Sequence, residues 1–258
     1  MEIYKLKIMS FNVRYKNIGD SGGRSWTNRR AAVLKMFADQ KPDIVGIQEA
    51  MWAQKAYLDQ NLSAYKSIGV GRNNGANSGE FIVIYYLEKI VKLESWGTFW
   101  LSETPSTPSR GWDASLFRTA TYATFTHIES GKKFFVINTH LDDSGTVART
   151  KSMELLGIKM KTLNMDINDY PMILIGDFNM TIDDNNFNGI SFMGNARMDS
   201  LQTDYWNSFN GWGSGGRIID HIFFRRITPL KFMTIVQPYL DIIYLSDHYP
   251  IVAEFQIK

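Results

Sequence analysis

Cysteine is absent from the sequence, which excludes disulfides, thiolate metal sites and cysteine nucleophiles. An excess of charge of either sign is also missing, because 28 Lys and Arg residues stand against 26 Asp and Glu residues, for a formal net charge of +2. This balance argues against a surface that captures nucleic acid in bulk, although it leaves room for a short basic groove. The chain also lacks a run of about 18 apolar residues, the length that a membrane helix needs. We therefore expect no membrane partner.

What the chain does contain is typical of a soluble globular protein: 258 residues, of which 44% are hydrophobic and 21% are charged. We find no repeat, low-complexity tract or linker that would divide it, so we expect one domain over residues 1–258. The N-terminal stretch "MEIYKLKIMSFNV" has lysines among its apolar residues and no small-residue cleavage site. Because a signal peptide would look different, we expect a cytoplasmic location. No obligate protein partner is evident from the sequence.

Strand and helix patterns alternate along the chain. The sequence predicts helices over residues 26–40, 53–62 and 146–164. Predicted strands cover residues 4–13, 42–49, 80–87, 90–101, 116–128, 132–141, 171–179, 217–224, 230–238 and 249–257. The first of these is apolar on both faces, which indicates a strand buried between two layers. Strands in two groups with interspersed helices predict two packed sheets with helices outside them.

Several predicted strands end in side chains that bind hard cations or move protons. Asn12 ends the first strand, and Glu49 closes the second. Further strand ends and strand–loop junctions carry Asp177, Asn179, Asp247 and His248. If these ends converge on one edge of a sheet, they form a single cluster. Carboxylate and amide oxygens without thiolates are ligands for Mg²⁺, Mn²⁺ or Ca²⁺ and not for zinc.

Each of these signals has a simpler interpretation when it is taken alone. Glu49 falls on the face of Val45 and Ile47, and by itself it is typical of a solvated strand end. Asp177 and Asn179 share a face if the chain stays extended, but they also fit a turn with side-chain caps. The hypothesis of a site therefore depends on the whole set of strand ends.

The remaining ionisable residues considered for a site are one aspartate and three histidines. Asp220 lies within an apolar strand, where an unpaired carboxylate would cost on the order of several kcal/mol, so it needs a partner such as a histidine. His221 points to the opposite face, and we expect it to be packed. His127 lies in a hairpin arm, and we expect it at the surface. His140 ends another strand and is, by itself, typical of a satisfied strand histidine.

Six short motifs occur in an order that is found in a known superfamily: "SFNVR", "GIQEA", "NTHL", "IGDFN", "IDHIFF" and "SDHYP". The chain thereby resembles the endonuclease/exonuclease/phosphatase superfamily, which includes deoxyribonuclease I, apurinic endonucleases, deadenylases, inositol-polyphosphate phosphatases and sphingomyelinases. The resemblance extends from Asn12 to Pro250, nearly the whole chain. It implies a deoxyribonuclease I-like fold, a four-layer α/β/β/α sandwich in which two packed mixed sheets carry helices on both outer faces.

The resemblance also implies a role for each matched residue. Glu49 would be the principal ligand of a Mg²⁺ or Mn²⁺ ion, with Asn12 nearby and Asp247 completing the cluster on the metal side. Asp177 and Asn179 would orient the attacking water and bind the scissile phosphate, or help to hold a second metal.

Two histidines would complete the site that the resemblance implies. His248 would act on the nucleophile or stabilise charge on the phosphate, with Asp220 holding its imidazole in one tautomer. His140 would contact the phosphate or assist the leaving group. Such a set suits the hydrolysis of a phosphate ester, which requires neutralised phosphoryl oxygens, an oriented water and help for the departing alkoxide.

Two branches of the superfamily are disfavoured by single positions. The apurinic endonucleases carry an acidic residue where this chain has Arg14 and a tyrosine where it has His140. The inositol-polyphosphate phosphatases have a tryptophan where Ile175 stands and a cysteine-containing motif that this chain lacks. The chain most resembles compact bacterial members, through "GVGR", "GTFWLSETP", "GWDA" and "NTHLDDSGTVAR".

Two loops rich in glycine and aromatic residues, 104–115 and 207–217, are expected to shape the choice of substrate. Tryptophans could stack a nucleobase or a sugar ring, or could simply pack loops onto the sandwich: Trp100, Trp112, Trp206 and Trp212. Arginines could contact the substrate phosphate or form ordinary ion pairs: Arg14, Arg72, Arg118 and Arg149.

We therefore predict a Mg²⁺- or Mn²⁺-dependent phosphoesterase, and we favour a phosphodiesterase or nuclease. Its substrate would be a nucleic acid or a small phosphorylated molecule. A phosphomonoesterase that acts on a sugar or inositol phosphate is the alternative. A non-catalytic binding module on the same fold is a third hypothesis, but its expected sign, the loss of a metal or histidine position, is not seen in the sequence.

Overall fold

The first strand shows why the protein forms layers. In the computed structural model, which describes residues 4–257, Tyr4–Asn12 forms strand β1. Its successive side chains point to opposite sides: Leu6 and Ile8 pack into one core, whereas Met9 and Phe11 pack into another. A strand that is apolar on both faces needs a layer on each side. The prediction that this strand is buried between layers is confirmed.

The first sheet contains β1 and five further strands. These are β2 (Ile44–Ala50), β3 (Tyr65–Ile68), β4 (Phe81–Leu87), β11 (Thr228–Thr234) and β12 (Ile251–Ile257). Their order is β11–β12–β1–β2–β4–β3. The sheet is mixed, because β1 runs parallel to β2 and antiparallel to β12. The sequence did not predict β3, whose four residues are too few to show a period.

The second sheet also has six strands. These are β5 (Val91–Trp100), β6 (Thr119–His127), β7 (Lys133–His140), β8 (Met172–Asp177), β9 (Gly194–Asn195) and β10 (Asp220–Arg225). They lie in the order β5–β6–β7–β8–β10–β9. Here β7 and β8 are parallel, and β10 is antiparallel to β8.

Helices cover the outer faces of the two sheets. The described helices are α1 (Trp26–Gln40), α2 (Trp52–Asn61), α3 (Thr146–Met160) and the short α4 (Ala196–Asp199). One apolar core joins the two sheets, a second joins α1 and α2 to the first sheet, and a third joins α3 to the second sheet. Three cores separate four layers, so the predicted α/β/β/α sandwich is confirmed. Within residues 4–257, no helix is both long and apolar enough to cross a membrane.

Two local predictions were wrong. The helix predicted to reach residue 164 ends at Met160, and a π-helical turn, Lys161–Met165, follows it. His127 is buried and not at the surface, with 4% of its area exposed. Its ring lies 5.8 Å from the ring of Tyr4 in the other sheet, so this end of the hairpin arm is covered by the neighbouring layer.

Strand register brings the ionisable and amide side chains of the strand ends together at one end of the sandwich. In the second sheet, Asp177 pairs directly with His140 on one side and with Asp220 on the other. In the first sheet, β1 and β2 are parallel, so Asn12 at the end of β1 lies beside Gln48, one residue before Glu49. Because the two sheets pack face to face, both sets of strand ends meet at the same edge.

Candidate active site

A row of three buried ionisable side chains crosses the second sheet. It consists of His140, Asp177 and Asp220, each of which is at most 4% exposed. Nε2 of His140 lies 3.5 Å from Oδ2 of Asp177. The row is created by strand pairing and not by closeness along the chain, because its members belong to three different strands.

His248 reaches this row from the loop before β12. Its Nδ1 lies 2.8 Å from Oδ2 of Asp220, and its Nε2 lies 3.6 Å from Oδ2 of Asp177. Its backbone N–H donates to the hydroxyl of Ser246 at 3.2 Å. Asp220 thus has the histidine partner that its buried position requires. Since Nδ1 is engaged, Nε2 is the nitrogen that faces the site.

Glu49 enters the site through a distortion of β2. The pairing with β4 shifts register between Ile47 and Ala50, and Glu49 has a left-handed φ of 63°. Nδ2 of Asn12 donates to Oε1 of Glu49 and to Oδ2 of Asp177, both at 2.9 Å. Glu49 therefore turns towards Asn12 and the second sheet. The expectation that Glu49 lies on the face of Val45 and Ile47 was therefore wrong.

Asn179 does not continue the extended chain, because its φ is 52°. Its backbone N–H donates to Oδ1 of Asp177 at 3.0 Å, and its Nδ2 donates to the carbonyl oxygen of Leu141 at 3.0 Å. The same Nδ2 lies 3.3 Å from Nε2 of His140. The Asn179 amide can donate to this nitrogen only in the tautomer of His140 that carries its proton on Nδ1.

The two histidines of the site have opposite charge preferences. Burial, reinforced by Arg118 and Arg72, lowers the pKa of His140 well below its ordinary value. Burial also opposes a charge on His248, but Asp220 and Asp177 outweigh it and raise the pKa of His248 to about 10. His140 is therefore a neutral base or ligand, and His248 is a cation that can donate from Nε2. Environments that separate two such groups are typical of acid–base chemistry.

The donor set fits a divalent cation. Glu49, His140 and Asp177 each offer one ligand atom, and these atoms all lie within 4.8 Å of one another. Burial and repulsion by Asp220 raise the pKa of Asp177 to about 7. A shift in this direction is expected where carboxylates lie close together without a cation between them. Two carboxylates and a neutral imidazole are a donor set that could hold a divalent metal ion. Within residues 4–257, Asp247 is not part of this group.

Asp247 lies outside this group of ligand atoms and has hydrogen-bond and ion-pair partners of its own. Its Oδ1 accepts from the hydroxyl of Ser246 at 3.1 Å, and its Oδ2 lies 3.6 Å from Nη1 of Arg14. Its backbone oxygen accepts from the N–H groups of Asn210 and Gly211 at 2.8 and 3.1 Å. Burial raises the pKa of Asp247. The contacts fix the loop that presents His248.

The predicted residues converge on a cavity of about 340 Å³. Those that line it are Arg14, Glu49, Arg118, His140, Asp177, Asn179, Asp247 and His248. Asn12 and Asp220 are buried behind this lining, at 0% and 1% exposure. We call this space the catalytic cavity.

The four predicted arginines all have protein partners. Arg118 is buried and binds the carboxylates of Asp142 and Asp143 at 3.2 and 2.9 Å. Arg72 forms two hydrogen bonds with Glu80, at 2.7 and 2.9 Å. Arg14 pairs with Asp20 at 3.1 Å, and Arg149 donates to the carbonyl oxygen of Asp142 at 3.0 Å. Of the four, Arg14 and Arg118 line the catalytic cavity.

The predicted tryptophans lie elsewhere. Trp100 is 6% exposed, and its Nε1 donates to the carbonyl oxygen of Arg72 at 2.7 Å. Trp112 is half-buried in loop 104–115, and Trp206 is 60% exposed. Trp212 lines a different cavity. Among the described residues, the aromatic side chains that do line the catalytic cavity are Tyr15 and Phe209.

Sequence reasoning missed several residues at or behind the catalytic cavity. Glu80 and Arg217 line it, and Arg29 is fully buried behind it with hydrogen bonds to four backbone carbonyls. Arg29 occupies a helix position that resembles a surface charge, so its sequence context gives no signal. Glu80 could be recognised only through its pairing with Arg72.

Fold and site together define a deoxyribonuclease I-like α/β sandwich with an acidic and histidine cluster at one end of its sheets. Residues 9–248 match the model of the Endonuclease/Exonuclease/phosphatase family, and the chain belongs to this family. Members of the family are hydrolases that act on phosphate esters, and they generally use divalent metals.

Similar proteins of known structure include two from Bacteroides thetaiotaomicron. An endonuclease/exonuclease/phosphatase family protein is 30% identical with a TM-score of 0.91, and the match covers 100% of this chain and 99% of that one. A mannosyl-6-phosphatase from strain VPI-5482 is 31% identical with a TM-score of 0.91, over 97% of this chain and 99% of that one. An uncharacterized protein of Acanthamoeba polyphaga mimivirus is 26% identical over 90% of this chain and 92% of its own length.

Proposed function

We propose that the protein is a divalent-metal-dependent phosphatase that hydrolyses a phosphomonoester of a small hydroxylated molecule, such as a sugar phosphate. One observation carries the reaction class. Glu49, Asp177 and His248, which come from three distant parts of the chain, face one catalytic cavity with Asp220 bonded behind His248. This arrangement provides a cation site, a carboxylate for the water and a charged imidazole for the phosphate.

The water would be held by Asp177 and His248. Oδ2 of Asp177 lies 3.6 Å from Nε2 of His248, so one oxygen atom to the side of the line that joins them can lie within hydrogen-bond distance of both. Asp177, as a carboxylate, would accept a proton of this water as the water oxygen bonds to phosphorus and the ester P–O bond breaks, and the departing alkoxide would take a proton from solvent. Protonated His248 donates from Nε2 to the phosphoryl group as negative charge builds on it. Asp220 keeps the imidazole charged and correctly oriented.

The phosphate would be held by the remaining polar groups of the cavity. Asn179 and Arg118 are placed to donate to phosphoryl oxygens, and His140 lies beside Asn179 as a neutral ligand or acceptor. Glu49 would hold a divalent cation, which would supply further neutralisation of the phosphoryl oxygens. Asn12 positions Glu49 through its amide hydrogen bond, so we assign it an indirect part in cation binding.

The choice of a monoester depends on the shape and lining of the catalytic cavity. Its volume of about 340 Å³ falls at the small end of ligand pockets, which span roughly 300–1,000 Å³. Among residues 4–257, its aromatic lining is limited to Tyr15 and Phe209, whereas nucleic-acid channels stack successive bases on aromatic rings. The likeness to a mannosyl-6-phosphatase at 31% identity supports the same choice over the phosphodiesterase favoured by the sequence.

A panel of substrates tests the proposal. Purified protein with Mg²⁺ or Mn²⁺ is assayed against p-nitrophenyl phosphate and bis(p-nitrophenyl) phosphate, which share a leaving group, and against mannose 6-phosphate, single-stranded DNA and single-stranded RNA. We expect the monoesters to be hydrolysed in preference to the diester and the nucleic acids. Faster cleavage of the diester or of a nucleic acid would overturn the substrate class. Binding of a phosphorylated ligand without any hydrolysis would favour a binding module.

A further inference from the structure

Arg217 is a cation of the catalytic cavity to which the mechanism above gives no part. It lines the cavity and is exposed to solvent. Within residues 4–257, its side chain forms no hydrogen bond or ion pair, and its described contact is with the ring of Phe209, whose centroid lies 6.0 Å from Cζ. A contact with the face of a ring uses the charge of a guanidinium and leaves its N–H groups able to donate. Arg217 can therefore bind an anion without giving up a carboxylate partner.

The other two arginines that line the cavity differ from Arg217 in this respect. Arg14 and Arg118 each pair with a carboxylate, at 3.1 and 2.9 Å. The partner of Arg118 in that pair is Asp143, which is the exposed carboxylate of the cavity lining. Because Asp143 lies on Arg118 and not on Arg217, the described part of the chain neutralises two of the three guanidinium groups and leaves the third to solvent or to a ligand.

Backbone hydrogen bonds hold Arg217 close to His248. The N–H of Phe209 donates to the carbonyl oxygen of Arg217 at 2.9 Å, and the N–H of Arg217 donates to the carbonyl oxygen of Phe209 at 3.2 Å. Phe209 also forms an isolated β-bridge with His248, and its ring centroid lies 5.1 Å from that of the imidazole. One phenyl ring thus contacts both the imidazole and the guanidinium, so Arg217 lies one side chain away from the groups that act on the phosphate.

Arg217 lies nearer the mouth of the catalytic cavity than the groups assigned to the phosphate. His140 and Arg118 are 4% exposed and His248 is 5% exposed, whereas Arg217 is exposed. When these buried groups hold the phosphate of a monoester, its alcohol extends towards the mouth of the cavity. A substituent on that alcohol is therefore the part of the substrate that Arg217 can reach.

We propose that Arg217 selects substrates whose alcohol carries a second anionic group, either a carboxylate or a second phosphate. A guanidinium binds both groups through paired N–H donors, and its hydrogen bonds to an anion are stronger than those to a neutral hydroxyl. The preferred substrate is then a small phosphomonoester with a second negative charge. This inference rests on the proposed phosphatase function and adds to it the chemical class of the leaving alcohol.

Substrate pairs that differ by one charged group test the inference. 3-Phosphoglycerate is compared with glycerol 3-phosphate, and 6-phosphogluconate with glucitol 6-phosphate, because each pair differs only in a terminal carboxylate that replaces an alcohol. The two pairs place the carboxylate at different distances from the phosphate. For at least one pair, we expect kcat/KM of the carboxylate to exceed that of the alcohol by at least about tenfold in the wild type, chiefly through a lower KM.

Variants assign this preference to Arg217. The ratio should approach one in Arg217→Gln and be intermediate in Arg217→Lys, which keeps the charge but loses the paired donors. Arg110→Gln removes an exposed arginine that lies outside the cavity lining, so it changes the net charge equally and should leave the ratio unchanged. A ratio near one for both pairs in the wild type, or a ratio that Arg217→Gln leaves unchanged, would overturn the inference.

A binding measurement separates this inference from the proposed function. Asp220→Asn, for which we expect slow turnover with little change in KM, is titrated calorimetrically with both members of each pair in the presence of Mg²⁺. We expect tighter binding of the carboxylate, and loss of this difference when Arg217→Gln is added. Hydrolysis of monoesters by the wild type without any preference, in rate or in affinity, would overturn the role of Arg217 and leave the phosphatase intact.

Two other outcomes would contradict the proposals in different ways. If the wild type hydrolyses no monoester but the carboxylate still binds more tightly through Arg217, the phosphatase is overturned and the anion site stands. If the wild type prefers a 5′-phosphorylated oligonucleotide to all four small substrates, and Arg217→Gln removes that preference, the assignment of a small substrate is overturned.

Discussion

His248 and Asp220 form the shortest link in the catalytic cluster, with Nδ1 of the imidazole 2.8 Å from Oδ2 of the carboxylate. Both residues are at most 5% exposed, so the pair is shielded from water and its geometry is fixed. The bond leaves Nε2 of His248 directed at Asp177. The orientation of the imidazole therefore depends on a side chain that does not line the catalytic cavity.

Asp220→Asn should inactivate the enzyme without unfolding it. The amide keeps the volume of the carboxylate and can still accept a hydrogen bond, but it no longer stabilises a charged imidazole. We expect kcat for phosphate release to fall by about 10²- to 10⁴-fold, with little change in KM. The unfolding free energy, measured by urea denaturation, should change little, because His248 loses a stabilising partner while Asp177 loses a repelling neighbour. An unchanged kcat would show that Asp220 plays no part in catalysis.

Glu49→Gln should weaken cation binding. Glu49 belongs to the group of three ligand atoms within 4.8 Å, and an amide is a poorer ligand than a carboxylate. Titration calorimetry with Mn²⁺ should show an affinity at least about tenfold lower than that of the wild type. Asp143→Asn is the matched control, because Asp143 lines the same cavity outside that group. Equal affinities in Glu49→Gln and the wild type would remove Glu49 from the cation site.

Arg29 should be necessary for stability although it has no carboxylate partner among the described residues. It is 0% exposed and donates hydrogen bonds to four backbone carbonyl oxygens. Arg29→Met removes the side-chain donor from the carbonyl oxygens of Val13, Arg24 and Leu245, whereas that of Arg14 keeps a hydrogen bond from Gln54. We therefore expect the unfolding free energy to fall by about 3–5 kcal/mol. Arg29→Lys should also destabilise, since an ammonium group cannot reproduce the fork of the guanidinium.

The neighbouring Arg30→Met provides the control for Arg29. Arg30 is only half-buried and lies over the ring of Tyr57, with Cζ 4.7 Å from the centroid. Arg30→Met should lower the unfolding free energy by less than about 1 kcal/mol. Similar unfolding free energies for Arg29→Met and Arg30→Met would show that the carbonyl contacts of Arg29 do not stabilise the fold.

His221 should make the protein sensitive to mild acid. Its Nε2 lies 2.9 Å from the carbonyl oxygen of Met180, and burial lowers its pKa from 6.5 to about 4. Between about pH 4 and pH 6.5, the unfolded chain therefore binds a proton at His221, whereas the folded chain does not. The stabilising effect of the neutral imidazole is complete above pH 6.5 and is lost as the pH falls towards 4.

The comparison of wild type with His221→Gln isolates this effect. The variant should be less stable at pH 7, and the difference in unfolding free energy should shrink by about 3 kcal/mol between pH 7 and pH 4. Urea denaturation across this range provides the measurement. A difference that stays constant would mean that His221 titrates alike in the folded and unfolded chains.

The layers of the fold could be predicted from the sequence because they follow from local patterns. Apolar side chains on both faces of 4–13 require covering layers, and β1 has them. The gathering of strand ends was also predictable, since parallel strands end at one edge. The packed role expected for His221 is confirmed by its contacts with Phe178 and Phe223.

The details that place individual side chains could not be predicted. Glu49 reaches Asn12 only because a register shift and a left-handed φ interrupt β2, and no residue type in "GIQEA" requires that distortion. The burial of His127 depends on Tyr4 in the other sheet, which a hairpin pattern does not reveal. The hydrogen bonds of Arg29 go to backbone carbonyl groups. Because every residue has such a group, the sequence does not indicate which ones Arg29 will contact.

The most direct test of the central proposal is the release of inorganic phosphate from mannose 6-phosphate. The wild type is compared with and without Mg²⁺, and a Glu49→Ala/His248→Ala double variant is purified in the same way. We predict phosphate release that requires Mg²⁺, stops when EDTA is added and is absent from the folded double variant. Phosphate release by the double variant at the wild-type rate would contradict the assignment of the reaction to this site.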